Sequence, residues 1–567
     1  MRKRNAWIMF SLTLLVFAAG FLFPLGLVIR NGFFSADGQF TLRYLIGVFQ
    51  NPIYLEGLRN SLRLALGTTL TATLFSVPLA WLSNRYQFAG KTWVNALVLV
   101  PMILPPFVGA IGFQQILGQY GVLNALLGLD VDWLGRGRWM GVILLQSLSL
   151  YPIMYLNVSA ALANIDHAMD EAAENLGATG WTKFRRITLP LMTPGLFAGG
   201  TIVFIWSFTE LGTPLIMNYT RVASVQVYDA LKEIGGNPFP FALVFVMLTV
   251  SVGLYLLSKI FFGGKAYAMQ SKAATTFTET RLKGWRGILA LLPFLFVITL
   301  ALLPHLGVIL TSFTVPGGWY RSVLPEALST ENYVEALGHS MTVSSIRNSL
   351  FFSTLAVLFN LVFGIGIAFV VVRSNLKLRG LLDGLAMMPL AVPGLVMATG
   401  YLAFSTYLAN QVFRDNPTLQ ALVDVKTNPT LFLVMAYGIR RLPYMVRSAV
   451  AGLQQTSAGL EEAAANLGAP PLVSLRRVTL PLITANLIAG ALLAFAFSML
   501  EVSDSLMLAQ REDFYPITKT IYELFQLIGT GKYIASALGV WAMLFLAVTI
   551  VGSSLLLGKK MGALFRV

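Results

Sequence analysis

Five ionisable side chains stand inside stretches that are otherwise apolar: Glu210 in "FTELG", Glu501 and Asp504 in "MLEVSDS", and Arg440 and Arg441 in "YGIRRLPYMV". Burying charge in hydrocarbon is expensive, so such residues are functional candidates by default. Two roles are open to the carboxylates: lining a pathway where they meet a cargo or a gate, or bonding neighbouring helices together. Glu210 and Glu501 occur at an offset of 291 residues, and Asp504 follows Glu501 by about one helical turn. The arginines have no such counterpart, because Ser149 and Leu150 occupy the corresponding positions. Three roles are open to them: balancing Glu501 or Asp504, facing an anionic cargo, or snorkelling toward the cytoplasmic end of a span.

Other chemistries are excluded. There is no cysteine, which removes disulfides, thiolate metal sites and cysteine nucleophiles. The histidines are His167, His305 and His339, and none begins an H-E-x-x-H, so no metal site is expected. The nearest approach to a phosphate-binding loop is Gly90-Lys91-Thr92, but Arg85 stands where the first glycine is required. No nucleotide site is read here, and the chain is expected not to be an enzyme.

The elements that must position these residues are membrane helices. The 567 residues are 56% hydrophobic and 11% charged, less than half the charge of an ordinary soluble domain, and the mean hydropathy is +0.72. Apolar runs of spanning length are read near 7–29, 61–83, 93–117, 139–162, 194–218 and 239–262. Six more follow near 287–312, 348–372, 381–406, 430–453, 485–509 and 533–557. The first lies behind the basic Arg2, Lys3 and Arg4 and is too long for a signal sequence, so it is read as a retained span. The net charge of +15 is gathered between spans, at Lys265, Lys272, Arg281, Lys283 and Arg286, at Arg373, Lys377 and Arg379, and at Lys559, Lys560 and Arg566. This is the positive-inside pattern of a protein in a lipid bilayer, with both termini cytoplasmic, and not a nucleic-acid surface.

The chain also repeats itself. "RNSL" at Arg59 returns at Arg347, and "PMILPPFVGAIG" from Pro101 aligns with "PLAVPGLVMATG" from Pro389 at the same offset of 288. Pro152 and Pro443 also match and are expected to kink the fourth span of each half. The most polar repeat is "EAAENLGATGWTKFRRITLP" from Glu171, which recurs as "EAAANLGAPPLVSLRRVTLP" from Glu462. Each copy reads as a helix ended by a left-handed glycine, a turn, and a short basic amphipathic stretch broken by Leu-Pro at the start of the next span. Six spans separate equivalent points, so both loops emerge on one side, which the charge pattern makes cytoplasmic. The halves are therefore parallel repeats about an axis along the membrane normal.

These loops resemble the EAA motif of type I ABC importer permeases. Glu171, Ala172, Ala173, Gly177, Ile187, Leu189 and Pro190 fit every position. Glu462, Ala463, Ala464, Gly468, Leu480 and Pro481 fit as well, with Val478 in place of the isoleucine. The resemblance implies an all-α membrane fold of about twelve helices in two parallel six-helix repeats. It implies two copies of a cytoplasmic ABC ATPase docked on the loops, carrying ATP and Mg, and an extracytoplasmic substrate-binding protein on the other side. It places the chain in a bacterial inner membrane. The organisation it suggests is a first span and outer loop over 1–57, a permease domain over 58–262, a cytoplasmic linker over 263–286, a seventh span and outer loop over 287–345, a second permease domain over 346–557, and a tail over 558–567. Fused permeases of this kind are most similar to the ferric-iron importer group, with thiamine, phosphonate, sulfate and polyamine permeases as relatives. "FTELGTP" fits the iron type, whereas "EVSDSLMLAQRED" departs from it. "GQYGVLNALLG" from Gly118 resembles the G-x-x-G-x-L-N of first-half permease domains; "NQVFRDNPTLQ" does not. An ion-coupled secondary transporter is the alternative class.

Overall fold

The computed structural model describes residues 3–557, except 36, 104, 136–137, 164, 166–174, 179, 233–237 and 271–279. Among the described residues, nine helices are long and apolar enough to cross a membrane, and two bent helix pairs raise the number to eleven. The remaining expected span is Thr430–Gln455, a 26-residue helix long enough to cross but carrying Arg440, Arg441 and Arg447. Helix is the expected solution, because every backbone N–H and C=O must be satisfied within the segment when no water is at hand.

The third and ninth spans are the bent pairs. Lys91–Met102 meets Pro106–Leu127 at 97°, and Arg379–Leu390 meets Gly394–Val412 at 101°. Both breaks fall within the repeated proline motif. Pro105 and Pro393 are extended and sit just before the helices that follow. A proline ring disfavours helical geometry in the residue before it and offers no N–H to continue the ladder, so the chain turns instead. Pro152 and Pro443, by contrast, lie inside the unbroken helices Trp139–Ala163 and Thr430–Gln455.

The elbow and the fifth span are one rod, which corrects the expectation of a break at Leu189-Pro190. Gly180–Phe208 is continuous, and so is its counterpart Pro471–Met499. Each rod contains a π turn, Phe184–Thr188 or Leu475–Thr479, immediately before the Leu-Pro. The wider turn passes the proline without breaking the helix, a common accommodation of an interrupted ladder. The far ends also differ from expectation. The rods stop at Phe208 and Met499, and short helices Gly212–Ile216 and Ser503–Leu508 follow. Apolar residues continue through these breaks, so hydropathy alone reads about ten residues too many.

The two halves exchange contacts through their first helices, which also pack within their own halves, on the sixth and the twelfth span respectively. The first span, Arg4–Phe33, packs on the eighth and ninth spans of the second half. The seventh, Trp285–Phe313, packs on the second, third and fourth spans of the first half. One repeated glycine permits both crossings: a Cβ on Gly112 would strike the backbone of Pro304 and Gly307, and one on Gly400 would meet the Pro24 carbonyl. Small residues at such crossings let backbones approach closely. The Tyr401 phenol then donates to the Gly20 carbonyl at 2.7 Å, tying the ninth span to the first.

The "RNSL" repeat has an equivalent task in each half. Asn60 donates to the Arg221 carbonyl at 2.8 Å, and Ser61 accepts from the Ala223 N–H at 3.0 Å. Asn348 donates to the Asp513 carbonyl at 2.8 Å, and Ser349 accepts from the Ile517 N–H at 2.7 Å. Each pair fastens the start of a helix, Ala223–Lys232 or Ile517–Phe525, to the second span of its half.

Candidate functional site: a cavity between the halves and two elbows

The broken third and ninth spans, the fourth and tenth, and the ends of the two rods surround one cavity of about 180 Å³. Its wall takes Pro105, Gln146 and Glu210 from the first half and Pro393, Arg440 and Glu501 from the second. The five candidate residues are thus brought to one place, except that Asp504 sits fully buried just behind the wall.

Glu210 and Glu501 do not stand within continuous spans. Both lie in the non-helical turn that follows a rod. A helix end leaves its last carbonyls without intrahelical partners, and the structure uses this. Arg441 donates to the Phe497 carbonyl, in the last turn of the rod, at 3.1 Å, and also bonds Glu501. Arg440 reaches Glu501 at 2.6 Å and Asp504 at 2.9 Å. Of the three roles open to the arginines, charge balance is therefore the one observed. A cationic group beside a helix C-terminus is also favoured by the helix dipole. Gly394 leaves room for the Arg440 guanidinium, which a Cβ would overlap.

The first half answers with neutral groups. Glu210 accepts from the Thr213 N–H at 3.2 Å, and Thr213 is the counterpart of Asp504. Gln146 accepts from Ser207 at 2.5 Å and from Thr68 at 3.2 Å, while its Nε2 is buried with no partner among the described residues. Asp504 Oδ1 and Arg441 Nε are likewise buried and, among the described residues, unpartnered. The site is therefore lopsided: one half holds an ion cluster of two arginines and two carboxylates, and in the other, among the described residues, the Glu210 carboxylate meets amide and hydroxyl donors. Among the described residues, no group of three His, Cys, Asp or Glu side chains is placed to hold a metal ion.

The second elbow lies at the opposite end of its rod. Glu462, Ala463 and Ala464 occupy the helix Ala458–Asn466, with Glu462 and Ala463 exposed. Gly468 has φ +83° and closes the helix with bonds from Gly468 N–H to Ala465 and from Ala469 N–H to Ala464. Leu480 and Pro481 lie in the rod just past the π turn. In the first elbow, Glu171, Ala172 and Ala173 are outside the described residues, while Gly177 has φ +82° and Leu189 and Pro190 follow the π turn as their counterparts do. The tips present equivalent leucines, Leu176 at 88% and Leu467 at 89% exposure. Sequence reasoning missed Arg373, read as one more cytoplasmic charge. Its guanidinium pairs with Glu461 at 3.0 Å and caps the Thr456 carbonyl at 2.9 Å, bolting the elbow to the eighth span. The signal was its repeat at Arg85, at the same offset of 288 as "RNSL".

The outer motif "GQYGVLNALLG" has a local use: Asn124 bonds the Gln119 and Val131 carbonyls and the Trp133 indole, each at 2.7 Å. In the departing second copy, Asn416 caps the short helix Pro417–Val423.

The family model described as binding-protein-dependent transport system inner membrane component matches this chain twice, over 72–263 and 360–557. The chain belongs to that family. Relatives agree with a permease. A protein of Haemophilus influenzae named as a ferric transport system permease, FbpB 1, is 26% identical over 82% of this chain and 70% of its own length. The ferric transport system permease protein FbpB of Actinobacillus pleuropneumoniae is 26% identical over 81% of this chain, which spans 64% of that protein. The molybdenum transport system permease protein ModB of Escherichia coli is 29% identical over 35% of this permease and 90% of its own length. The fused pair of ABC importer permease domains is thus established, as is a multi-pass membrane protein.

Proposed function

We propose that this permease carries ferric iron across the bacterial inner membrane through the cavity between its halves, driven by two cytoplasmic ATPase subunits that bind ATP and Mg. The elbows at Glu171–Pro190 and Glu462–Pro481 engage those subunits, and a substrate-binding protein delivers cargo to the opposite face. Both termini lie in the cytoplasm. The observation that carries the reading is the convergence of carboxylates from both halves, Glu210 and Glu501, on one cavity at the far ends of the elbow rods.

A hard trivalent cation is matched by oxygen ligands. The two arginines of the cavity are already bonded to Glu501 and Asp504, which leaves Glu210 as the carboxylate without a cationic partner among the contacts described. Supporting the same cargo are the names of the two-domain relatives. A second reading, a molybdenum oxyanion, is favoured by the ModB likeness and by the presence of arginines at the wall. Thiamine, phosphonate, sulfate and polyamine cargoes, and an ion-coupled mechanism, have no such observation behind them.

Proteoliposomes containing the permease, its ATPase and its binding protein separate these readings. Uptake of radioactive ferric iron that depends on ATP supports the proposal. Uptake of molybdate in preference to iron would replace the cargo, and uptake driven by an ion gradient without ATP would replace the class.

A further inference from the structure

At the end of each rod opposite the elbow, a hydroxyl joins the cavity to a helix on the pseudo-two-fold axis. Ser224, in the first turn of Ala223–Lys232, donates to the Glu210 backbone carbonyl at 2.7 Å. Thr518, in the first turn of Ile517–Phe525, donates to the Glu501 backbone carbonyl at 2.6 Å. Ser224 and Thr518 are equivalent positions, at an offset of 294, and each is 1% exposed. Nothing in the repeat's primary motifs marks them, because the residues around them differ.

The two helices they start meet each other. Tyr228 and Tyr522, at the same offset of 294, pack edge to face with ring centroids 6.5 Å apart. Equivalent residues of two parallel repeats touch only where the axis relating them passes, so this contact marks the axis. Lys232 lies 3.9 Å from the Tyr228 ring, and Lys519 pairs with Glu523 at 2.8 Å and lies 5.9 Å from the Tyr522 ring. Burial, with Glu523 and Asp229 nearby, pushes the Tyr522 phenol up to about 12, so it is a neutral surface at physiological pH. Among the described residues, the Tyr228 hydroxyl is buried without a hydrogen-bond partner. The centre is thus closed by ring contact and by lysines held against the rings, contacts that can part without breaking a backbone ladder.

We propose that Tyr228 and Tyr522 seal the outer end of the pathway, and that Ser224 and Thr518 are positioning residues that carry motion of the elbow rods to that seal. This rests on the importer reading given above. A rod of 29 residues is about 43 Å long and stiff, so displacement of an elbow moves the turn at its far end. The turn bears Glu210 or Glu501, and the hydroxyl bond hands its displacement to the axis helix. The bonds that Ser61 and Ser349 accept hold the same helices to the second and eighth spans, so the latch adds the link to the rod in particular.

The absence of cysteine allows a direct test. Tyr228→Cys and Tyr522→Cys are introduced together, the permease is assembled with its ATPase and binding protein in proteoliposomes, and cross-linking by a short bifunctional thiol reagent, which spans the room the two rings leave, is followed with and without vanadate-trapped nucleotide. The expected result is ready cross-linking at rest and a loss of cross-linking on trapping. Adding Ser224→Ala and Thr518→Val is expected to keep the cross-link in the trapped state while ATP hydrolysis continues. On the tyrosine background, the same pair lowers uptake about ten-fold, the scale of two buried hydrogen bonds lost from one conformational equilibrium. The conservative Ser224→Thr and Thr518→Ser restore uptake, which a general packing defect would not predict. Opening of the seal and full uptake in the Ala/Val variant would overturn the latch alone. Cross-linking unchanged by trapping in the parent protein would overturn the seal. Failure of any ATPase to bind the parent would overturn the importer reading and the latch with it.

Discussion

Glu501 is the residue on which the cavity's ion cluster is built, because it receives both Arg440 and Arg441 while only 6% exposed. Removing one member of a buried pair leaves an uncompensated charge, at a cost of about 3–5 kcal/mol. Glu501→Gln is therefore expected to lower unfolding stability in detergent by about 3 kcal/mol, whereas Glu210→Gln, which strips no cation of its partner, changes it by less than about 1 kcal/mol. Equal losses in the two variants would contradict the cluster. The five charged residues were legible as a group from their apolar surroundings, and the repeat offset paired Glu210 with Glu501. Their placement was not legible: the runs "LGTPLIM" and "VSDSLML" keep the hydropathy high, so the turn bearing each glutamate is hidden in the sequence. The partners of the arginines were also hidden, since Arg440 and Glu501 are brought together only by packing of the tenth span on the eleventh.

At the scale of elements, the two elbows depend on left-handed glycines and on rods that pass a proline. A β-branched residue at φ +83° is strained by about 1–3 kcal/mol. Gly468→Val is expected to deform the elbow, abolish ATP-driven uptake and release the ATPase on purification, while the protein still inserts and folds; retained uptake would refute the role of the turn. The glycine at each span crossing gives a different phenotype. A leucine at Gly400 would have to displace the backbone of the first span, so Gly400→Leu is expected to cost about 1–3 kcal/mol and to lower the yield of folded permease. An unchanged melting temperature would exclude the close crossing. The elbow glycines and the bend motifs could be found from the repeat. The π turns could not, because Leu-Pro also reads as an ordinary helix start.

For the whole molecule, the exchange of contacts through the first and seventh spans means that neither half is fully packed without the other. Co-expression of 1–270 with 271–567 is expected to reconstitute uptake, whereas either piece alone is degraded; a stable, monomeric 1–270 would contradict the exchanged packing. The pair of permease repeats follows from counting spans and matching the repeated motifs. The exchange could not be counted, since hydropathy assigns a segment to the membrane without saying which neighbour it packs on. The central claim, that matched elbows let separate ATPases open a shared cavity, is tested most directly by measuring iron uptake into proteoliposomes with the subunits added one at a time. The account predicts uptake only when permease, ATPase, binding protein and ATP are all present, and none when Gly177 and Gly468 are both replaced by bulky residues. Full-speed uptake by the permease alone would contradict it.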